Sequence, residues 1–475
     1  MSSSKKMNPP DGEEEEEEEP LSKAARAVED LYHLRDTYFP LDPNDRTSKL
    51  HHHSDLALSL LDSIPPEQRK SSLQRATFEY LRGKILDVFP DYRKEAEDHL
   101  SKAVKLNPSL ADAWLCLGNC IWKKGDLSAA KNCLSLALNK VICYLLYTSH
   151  AAFQFLSELE DIMFSEMMID AVCLSRVLTK IFFVNYQCLK EECLKWRCIT
   201  VLAMNPGAEN QAELVEESIQ HAKQAITLDV KDGNSWYNLG NACLTSFFVT
   251  GAWDHSKLLH SLKAYQNAEK DERMKSNPDL YFNSATVNRY LENYDRALSG
   301  FEAAALKDPG LNASEEVQKI VNLLDKVDNL LRGNLRAKRV ASLASSLAAV
   351  NLNSSQKRVT IDLMSEGLNR NVAVDGKVLF FLRSECVAPL YYLLCDSNQI
   401  CFVLTVYGLR NDVIKEGDQL TLLDPFFRDV DVSWKEKHYQ FKSIRLDFYE
   451  QMLVNGKALT PQHAVRTSIY AQHKP

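Results

Sequence analysis

A helical repeat is the sequence feature that most constrains how this 475-residue chain can fold. The clearest copy spans 111–140, where large residues flank a Leu-Gly pair in one predicted helix and two alanines flank a leucine in the next. Small residues at fixed positions let two helices pack closely, and large residues fill the space beside them. The positions that match this tetratricopeptide pattern are Trp114, Leu117, Gly118, Ile121, Gly125, Ala130, Leu134 and Ala137.

Three more stretches, 80–108, 233–268 and 277–309, repeat the pattern, and Ala222 and Ala225 mark a lone second helix. The stretch 233–268 carries about nine extra residues in its turn. One helical hairpin cannot bury its own apolar face, so it must stack on its neighbours. We therefore predict a mainly α solenoid of tetratricopeptide repeats.

Two predicted segments precede the repeats. Residues 1–20 contain an unbroken acidic run from Glu13 to Glu19, whose mutual repulsion predicts a disordered acidic tail. Residues 21–78 are predicted to form N-terminal helices, one over 21–39 and one over about 54–63. The adjacent histidines at 51–53 point in different directions on a helix, so we interpret them as a solvated turn, not a metal site.

The repeats are expected over 79–140 and 206–313, but 141–205 has no repeat signature and holds five of the twelve cysteines. Ala137 and Ala225 lie 88 residues apart, whereas Ala103 and Ala137 lie 34 apart. We interpret this anomalous insertion as translated non-coding sequence from a faulty gene model. A functional insertion is the alternative.

The spacing at which apolar residues recur changes from 3.6 residues, typical of a helix, to 2 residues, typical of a strand, near residue 356. Capping helices and a linker are predicted over 314–355. Beyond them, alternating segments at 359–363, 371–383, 389–395, 400–407 and 437–448, with an apolar strand after a turn at 415–418, predict five or six strands. Such strands suggest a small all-β barrel of the OB type over 356–460, followed by a C-terminal tail over 461–475.

No catalytic constellation stands out in the sequence, so we do not expect an enzyme or a cofactor. The chain has no Gly-rich phosphate loop, no nucleophile elbow and no zinc-protease motif. Cysteine and histidine spacings fit neither a disulfide framework nor a metal site. We expect no signal peptide and no membrane span. The net charge of −8 argues against a general polyanion binder.

The first helix of each repeat is expected to line a concave groove that binds a peptide. Asn side chains there can hydrogen-bond an extended backbone, Asp279 can pair with a basic residue, and Lys123 or Arg289 can pair with an acidic group. The alternative is a polar surface without a ligand. The predicted groove residues are Asn119, Trp122, Lys123, Asn234, Tyr237, Asn241, Asp279, Phe282 and Arg289.

Partners of the barrel are less defined by the sequence. OB barrels often stack single-stranded nucleic acid on aromatics over a basic groove, but residues 356–460 hold 13 basic and 14 acidic residues. We therefore favour protein contact over weak nucleic-acid contact. The predicted capping helices also carry a basic contact patch, which could bind ribosomal RNA or serve as a nuclear signal. Its residues are Arg332, Arg336, Lys338 and Arg339.

The whole chain, apart from the acidic tail and 141–205, resembles the tetratricopeptide repeat protein 5 family, also called Strap. The resemblance is specific because it spans both the repeats and the barrel in the same order. The stretches that carry it are 30–39, 100–106, 122–126, 276–280 and 454–457.

Two roles follow from this resemblance. One is recognition of the N-terminal peptide of nascent tubulin at the ribosome, which triggers tubulin mRNA decay. The other is a nuclear stress cofactor that scaffolds acetyltransferase coactivators. Both imply a cytoplasmic and nuclear protein with protein partners. The resemblance also implies that Asp279 contacts the tubulin peptide, that a contact arginine falls in the anomalous stretch, and that a family glutamate falls near Ala313, close to Glu315.

Overall fold

The computed structural model describes residues 20–38, 40, 42–140, 211–250, 254–333, 337–350, 356–384 and 389–465. They fall into two compact units, the first from 20–38 and 44–140 and the second mainly from 211–465. Among these residues, no helix is both long and apolar enough to cross a membrane. The acidic run, the stretch 141–205 and Arg336 lie outside the described residues.

Six helices build the first unit, and glycines set how closely they pair. A Cβ atom on Gly83 would lie 2.6 Å from Leu100 Cγ, and one on Gly118 would lie 2.9 Å from Leu134 Cδ2. Both distances are shorter than real contacts allow, so any larger residue at these crossings would force the facing leucine to move. The helices are α1 (Pro20–Thr37), α2 (Pro43–Asp62), α3 (Ser72–Leu86), α4 (Lys94–Leu106), α5 (Ala111–Lys123) and α6 (127–140).

The prediction of a turn at His51, His52 and His53 was wrong. Helix α2 begins at Pro43, eleven residues before its predicted start, and the three histidines lie inside it. The His51 ring stacks on Phe89 with ring centroids 4.4 Å apart, so this histidine packs against an aromatic neighbour of the first unit. Proline suits the first turn of a helix because its missing N–H is not needed there, which accounts for the earlier start.

The helices of the second unit continue the repeat pattern. A Cβ atom on Gly240 would lie 2.4 Å from Tyr265 Cε1, the same close crossing as in the first unit. The extra residues predicted in the hairpin turn at 233–268 partly lengthen its first helix instead, which continues to Val249. The helices are α7 (Gln211–Leu228), α8 (Gly233–Val249), α9 (His255–Ala268), α10 (Pro278–Tyr290), α11 (Tyr294–Lys307), α12 (Ala313–Arg332) and α13 (Ala337–Ser345).

A curled sheet follows the helices in the same unit. Its strands run in the order β10-β9-β6-β3-β4-β5-β8-β7-β2, with β1 paired to β3, and its interior holds an apolar core that includes Tyr392, Phe402 and Ile444. The strands are β1 (Lys357–Val359), β2 (Gly367–Leu368), β3 (Val372–Leu382), β4 (Leu390–Cys395), β5 (Cys401–Val406), β6 (Gln419–Leu423), β7 (Phe426–Trp434), β8 (Lys437–Leu446), β9 (Met452–Val454) and β10 (Lys457–Ala458).

Two details of the predicted sheet need correction. Residues 361–363 form a single 3₁₀ turn, because Ile361 alone is buried and Leu363 remains 70% exposed. Strand β7 was missed, although Val430 and Val432 alternate with exposed aspartates, which is the pattern of a strand with one buried face.

The last helices and the sheet share one core. Leu298 and Phe301 of α11 and Leu324 of α12 belong to the same buried cluster as Val430 and Tyr439 of the sheet. An isolated α-helical pair leaves an apolar face uncovered, and here the sheet covers it. The sheet therefore serves as the C-terminal cap of the repeats.

Polar groups fix this junction at the end of α10. The Tyr290 carbonyl accepts a hydrogen bond from Tyr407 Oη at 2.9 Å and another from Arg445. Next to it, Glu292 adopts a left-handed backbone (φ 59°) and is 4% exposed. Burial raises the pKa of Glu292, and the positive charges of Arg445 and Arg428 only partly oppose that shift.

Candidate peptide-binding groove

The predicted groove residues of the first unit are turned into the protein. Asn119 Nδ2 donates to Asp87 Oδ2 at 3.0 Å, and Lys123 Nζ lies 3.0 Å from Asp87 Oδ1. Lys123 also donates to the backbone carbonyls of Asp87 and Phe89. Asp87 directly follows α3, so these contacts tie the end of one helix to the first helix of the next repeat.

The expectation that Lys123 binds an acidic ligand was wrong, because its ammonium group is committed to Asp87. Side-chain exposure is 3% for Lys123 and 1% for Asp87. Burial lowers the pKa of Lys123 and raises the pKa of Asp87, and their mutual attraction opposes both shifts. Trp122 is half-buried on the same helix turn. In the first unit, the predicted groove positions therefore stabilise the stack.

The second unit arranges its groove positions differently. Asn283 of α10 donates through Nδ2 to Tyr237 Oη at 3.1 Å and to Asn241 Oδ1 at 3.2 Å, both on α8. Tyr265 Oη of α9 donates to the same Asn241 oxygen at 2.7 Å. These contacts form a buried polar ladder, by which we mean Tyr237, Asn241, Tyr265, Asn283 and the neighbouring Asp279.

Asp279 begins α10 beside this ladder. Asn277 caps the helix by accepting a hydrogen bond from the Asp279 N–H at 2.9 Å, and Pro278 occupies the first helical position. Burial raises the pKa of Tyr237, and the negative charge of Asp279 adds to that shift, which places the carboxylate near the phenol. The Asp279 residue is only 8% exposed. The predicted carboxylate is thus present at a partly shielded site.

The remaining groove positions have mixed surroundings. Asn234 is exposed in the first turn of α8. The Phe282 ring meets Phe301 edge-on, with ring centroids 5.1 Å apart. Arg289 forms an ion pair with Glu316 of α12, and its contact with an acidic ligand stays a prediction. The Oε1 atom of Glu316 also lies 2.7 Å from Lys319 Nζ.

The described members of the predicted basic contact patch are all exposed, although two of them also contact the sheet. Arg332 pairs with Asp328 at 2.6 Å and donates to the His438 carbonyl at 3.1 Å. The Arg339 guanidinium lies 5.1 Å from the centre of the Phe380 ring. Lys338 is exposed. Two of the three described members thus help to dock the capping helices on the sheet, and this use was not foreseen.

Sequence reasoning missed Asn283, which joins the two sides of the ladder. Only a weak sequence feature points to Asn283. This residue follows Asp279 by four positions, the spacing that places two side chains on one face of a helix. Among the described residues, no group of three or more histidine, cysteine or acidic side chains could hold a metal ion.

The fold and these side chains define a class: a tetratricopeptide-repeat protein, capped by an OB-type domain, that binds other proteins. Residues 355–468 match the family model of the tetratricopeptide repeat protein 5 OB fold domain. The chain is 31% identical to tetratricopeptide repeat protein 5 of Homo sapiens over 463 residues, which cover 92% of this chain and 93% of the relative. The Mus musculus protein is also 31% identical, with the same coverage. The chain belongs to the tetratricopeptide repeat protein 5 family.

A solved structure is similar in fold only. The crystal structure of YrrB, a TPR protein with an unusual peptide-binding site, is 14% identical and covers 54% of this chain and 95% of its own, with a TM-score of 0.29. Membership of the family and the repeat fold indicate a protein-binding adaptor, and proteins of this kind are typically non-catalytic scaffolds.

Proposed function

We propose that this chain is an adaptor that captures an extended peptide along α8 and α10. The observation that carries the proposal is the polar ladder, because Tyr237, Asn241 and Asn283 occupy buried positions between helices that apolar residues could fill. Most of these groups hydrogen-bond one another, but Asn241 Nδ2 is buried without a hydrogen-bond partner among the described residues, which leaves a donor for a peptide carbonyl. An extended peptide offers backbone donors and acceptors that side-chain amides and phenols can bind.

Asp279 supplies the charge selectivity of this site. Its carboxylate lies at the start of α10, beside the ladder, and is only 8% exposed. An ion pair is stronger where solvent is partly excluded, and arginine matches a carboxylate with two parallel hydrogen bonds. The site therefore suits a peptide with an arginine close to the segment that lies on the ladder.

The finer proposal concerns the peptide itself. From the family resemblance, we propose that the ligand is the N-terminal peptide of nascent tubulin, recognised in the cytoplasm as it leaves the ribosome. The nuclear cofactor role is the alternative from the same resemblance. The basic patch does not decide between the two roles, because Arg332 and Arg339 contact the sheet of their own chain and yet have side chains that are 67% and 50% exposed.

The test is a titration of a fluorescent N-terminal tubulin peptide against the full chain. Asp279→Asn keeps the shape of the side chain and removes its charge. We expect binding to weaken by about ten- to a hundredfold, since a charge-assisted hydrogen bond contributes roughly 1.5–3 kcal/mol. Glu272→Gln is the matched control, because this side chain is 83% exposed and pairs only with Lys275 on the surface.

A second peptide, in which uncharged citrulline replaces arginine, shows whether weaker binding comes from losing the ion pair with Asp279 or from general unfolding of the variant. It should bind the wild-type chain and Asp279→Asn with similar, weak affinity. Circular dichroism melting of each variant serves as the folding control, which the burial of Asp279 makes necessary. Equal affinity of wild type and Asp279→Asn for the arginine peptide, or no binding by the wild type, would overturn the tubulin proposal.

A further inference from the structure

Strand β7 has an open edge. On one side it pairs with β8 along its whole length, from Phe426 to Trp434. On the other side, β2 pairs only with Phe426 and Phe427, and no other strand of the described residues pairs with 428–434. An open edge offers backbone donors and acceptors to any extended segment that can reach it.

The backbone groups that face this edge can be identified. The N–H of Asp429 points outward, because it donates to Glu366 Oε2 at 2.9 Å, beyond the end of β2. The Pro425 carbonyl points the same way and accepts from the Asn369 N–H at 3.0 Å. Since backbone groups alternate along a strand, the N–H and C=O groups of Asp431 and Ser433 also face the open edge.

A cavity of about 430 Å³ lies along this edge. Residues 428–432 and Glu366 form one wall, and residues 292–296, from the turn after α10 and the start of α11, form the other. The cavity therefore has the open strand on one side and a fixed turn of the last repeat on the other, and both walls belong to the second unit.

The charges around the cavity are mostly negative. Its lining includes four partly or fully exposed carboxylates against the guanidiniums of Arg296 and Arg428. Arg428 is already engaged, because it donates to the Leu291 carbonyl at 2.9 Å and lies 4.0 Å from Glu366. The four carboxylates are Asp295, Glu366, Asp429 and Asp431.

We propose that the β7 edge is a docking site for an extended basic segment of a partner protein, which adds to the sheet as one more strand. The edge groups of Asp431 and Ser433 would pair with the backbone of the segment. The side chains of Asp429 and Asp431 lie on the exposed face, so cross-strand neighbours on that face should be lysine or arginine. This site is separate from the polar ladder and does not depend on the tubulin proposal.

The experiment uses the full chain and a fluorescein-labelled hexapeptide of alternating lysine and valine. Asp431→Pro removes the edge-facing N–H and one carboxylate, while the hydrogen bonds of β7 to β8 remain, because proline is tolerated on an open edge. We expect this variant to bind the peptide at least tenfold more weakly. Glu436→Lys is the control for charge, since this residue is exposed in the turn between β7 and β8.

A second probe distinguishes strand addition from simple charge attraction. The same hexapeptide, N-methylated at alternate residues, keeps its charge and loses the donors that a new strand needs. It should bind at least tenfold more weakly than the unmodified peptide, and Glu436→Lys should change either affinity by less than about twofold. Equal binding of both peptides, or unchanged binding by Asp431→Pro at an unchanged melting temperature, would overturn the proposal.

Discussion

Helices α5 and α8 carry asparagine at the same repeat position, directly after the glycine of the close crossing, but their surroundings differ. Asn119 of α5 donates to Asp87, which follows α3 and also binds Lys123. Asn241 of α8 accepts from Tyr265 and from Asn283 of the next repeat. The repeat fixes where such a residue lies, and the residue opposite decides its role. The carboxylate of Asp87 opposite Asn119 gives a buried charged cluster with Lys123, which we call the structural lock, whereas the amide of Asn283 opposite Asn241 extends the polar ladder.

The largest expected effect comes from breaking the lock in the first unit. Lys123→Met should lower the free energy of unfolding by about 3–5 kcal/mol, because it leaves the Asp87 carboxylate buried without its partner. Chemical denaturation of the first unit measures the loss. Lys124→Met is the control: its side chain is 45% exposed and pairs with Glu97 on the surface, so the cost should stay below about 1 kcal/mol. Equal costs for the two variants would show that the lock is not structural.

Gly118→Leu tests the close crossing beside that lock. The added side chain meets Leu134, so overpacking should cost about 1–3 kcal/mol. Thermal melting followed by circular dichroism gives the result. Ser128→Leu adds the same side chain at an exposed position of α6 and should change the melting temperature little. An unchanged melting temperature for Gly118→Leu would mean that the assigned repeat register is wrong.

The two asparagine positions can be compared directly. Asn283→Ala removes hydrogen bonds that orient Tyr237 and Asn241, so it should lower the free energy of unfolding by about 0.5–1.5 kcal/mol and also weaken binding of the tubulin peptide by roughly threefold to tenfold. Asn119→Ala should cost a similar amount of stability and leave peptide binding unchanged. Fluorescence titration of both variants measures the difference. If Asn119→Ala weakens binding as much as Asn283→Ala, the two units do not differ in the way described.

The smallest effect is a pH dependence at the junction of the last repeat and the sheet. Burial would raise the pKa of Asp447, but the neighbouring His255, 3.6 Å away, and the hydrogen-bonded Arg445 outweigh it and lower that pKa below its ordinary value. Asp447 therefore stabilises the fold above its unfolded pKa, and this contribution disappears as the pH falls through the lower, folded value. Asp447→Asn should be less stable than the wild type at pH 7, and the difference should narrow as the pH falls below the unfolded pKa of an aspartate. A constant difference across that range would contradict the assignment.

Much of the helical fold could be predicted because close helix packing requires small residues at fixed positions of each repeat. Gly83, Gly118 and Gly240 each lie where a Cβ atom would collide with the paired helix, and such positions recur in the sequence at repeat spacing. The roles of the groove residues could not be predicted in the same way. Asn119 and Asp87 are 32 residues apart, and nothing near either residue in the sequence indicates that they meet. Asp279 could be placed in the groove from its repeat position, and the family resemblance added a peptide contact, but its burial depends on the neighbouring helix.

The Tyr290 carbonyl accepts hydrogen bonds from Tyr407 and Arg445 and so holds the last repeat to the sheet. This attachment determines what proteolysis of the chain would produce. The linker at 351–355 marks the change from helices to strands in the sequence, but the core runs across that change, from Leu298 and Leu324 to Val430. A protease that cleaves the linker would therefore produce two fragments that remain associated on a sizing column. A chain that ends at residue 350 would instead expose the face of α11 that β7 covers, and we expect it to aggregate.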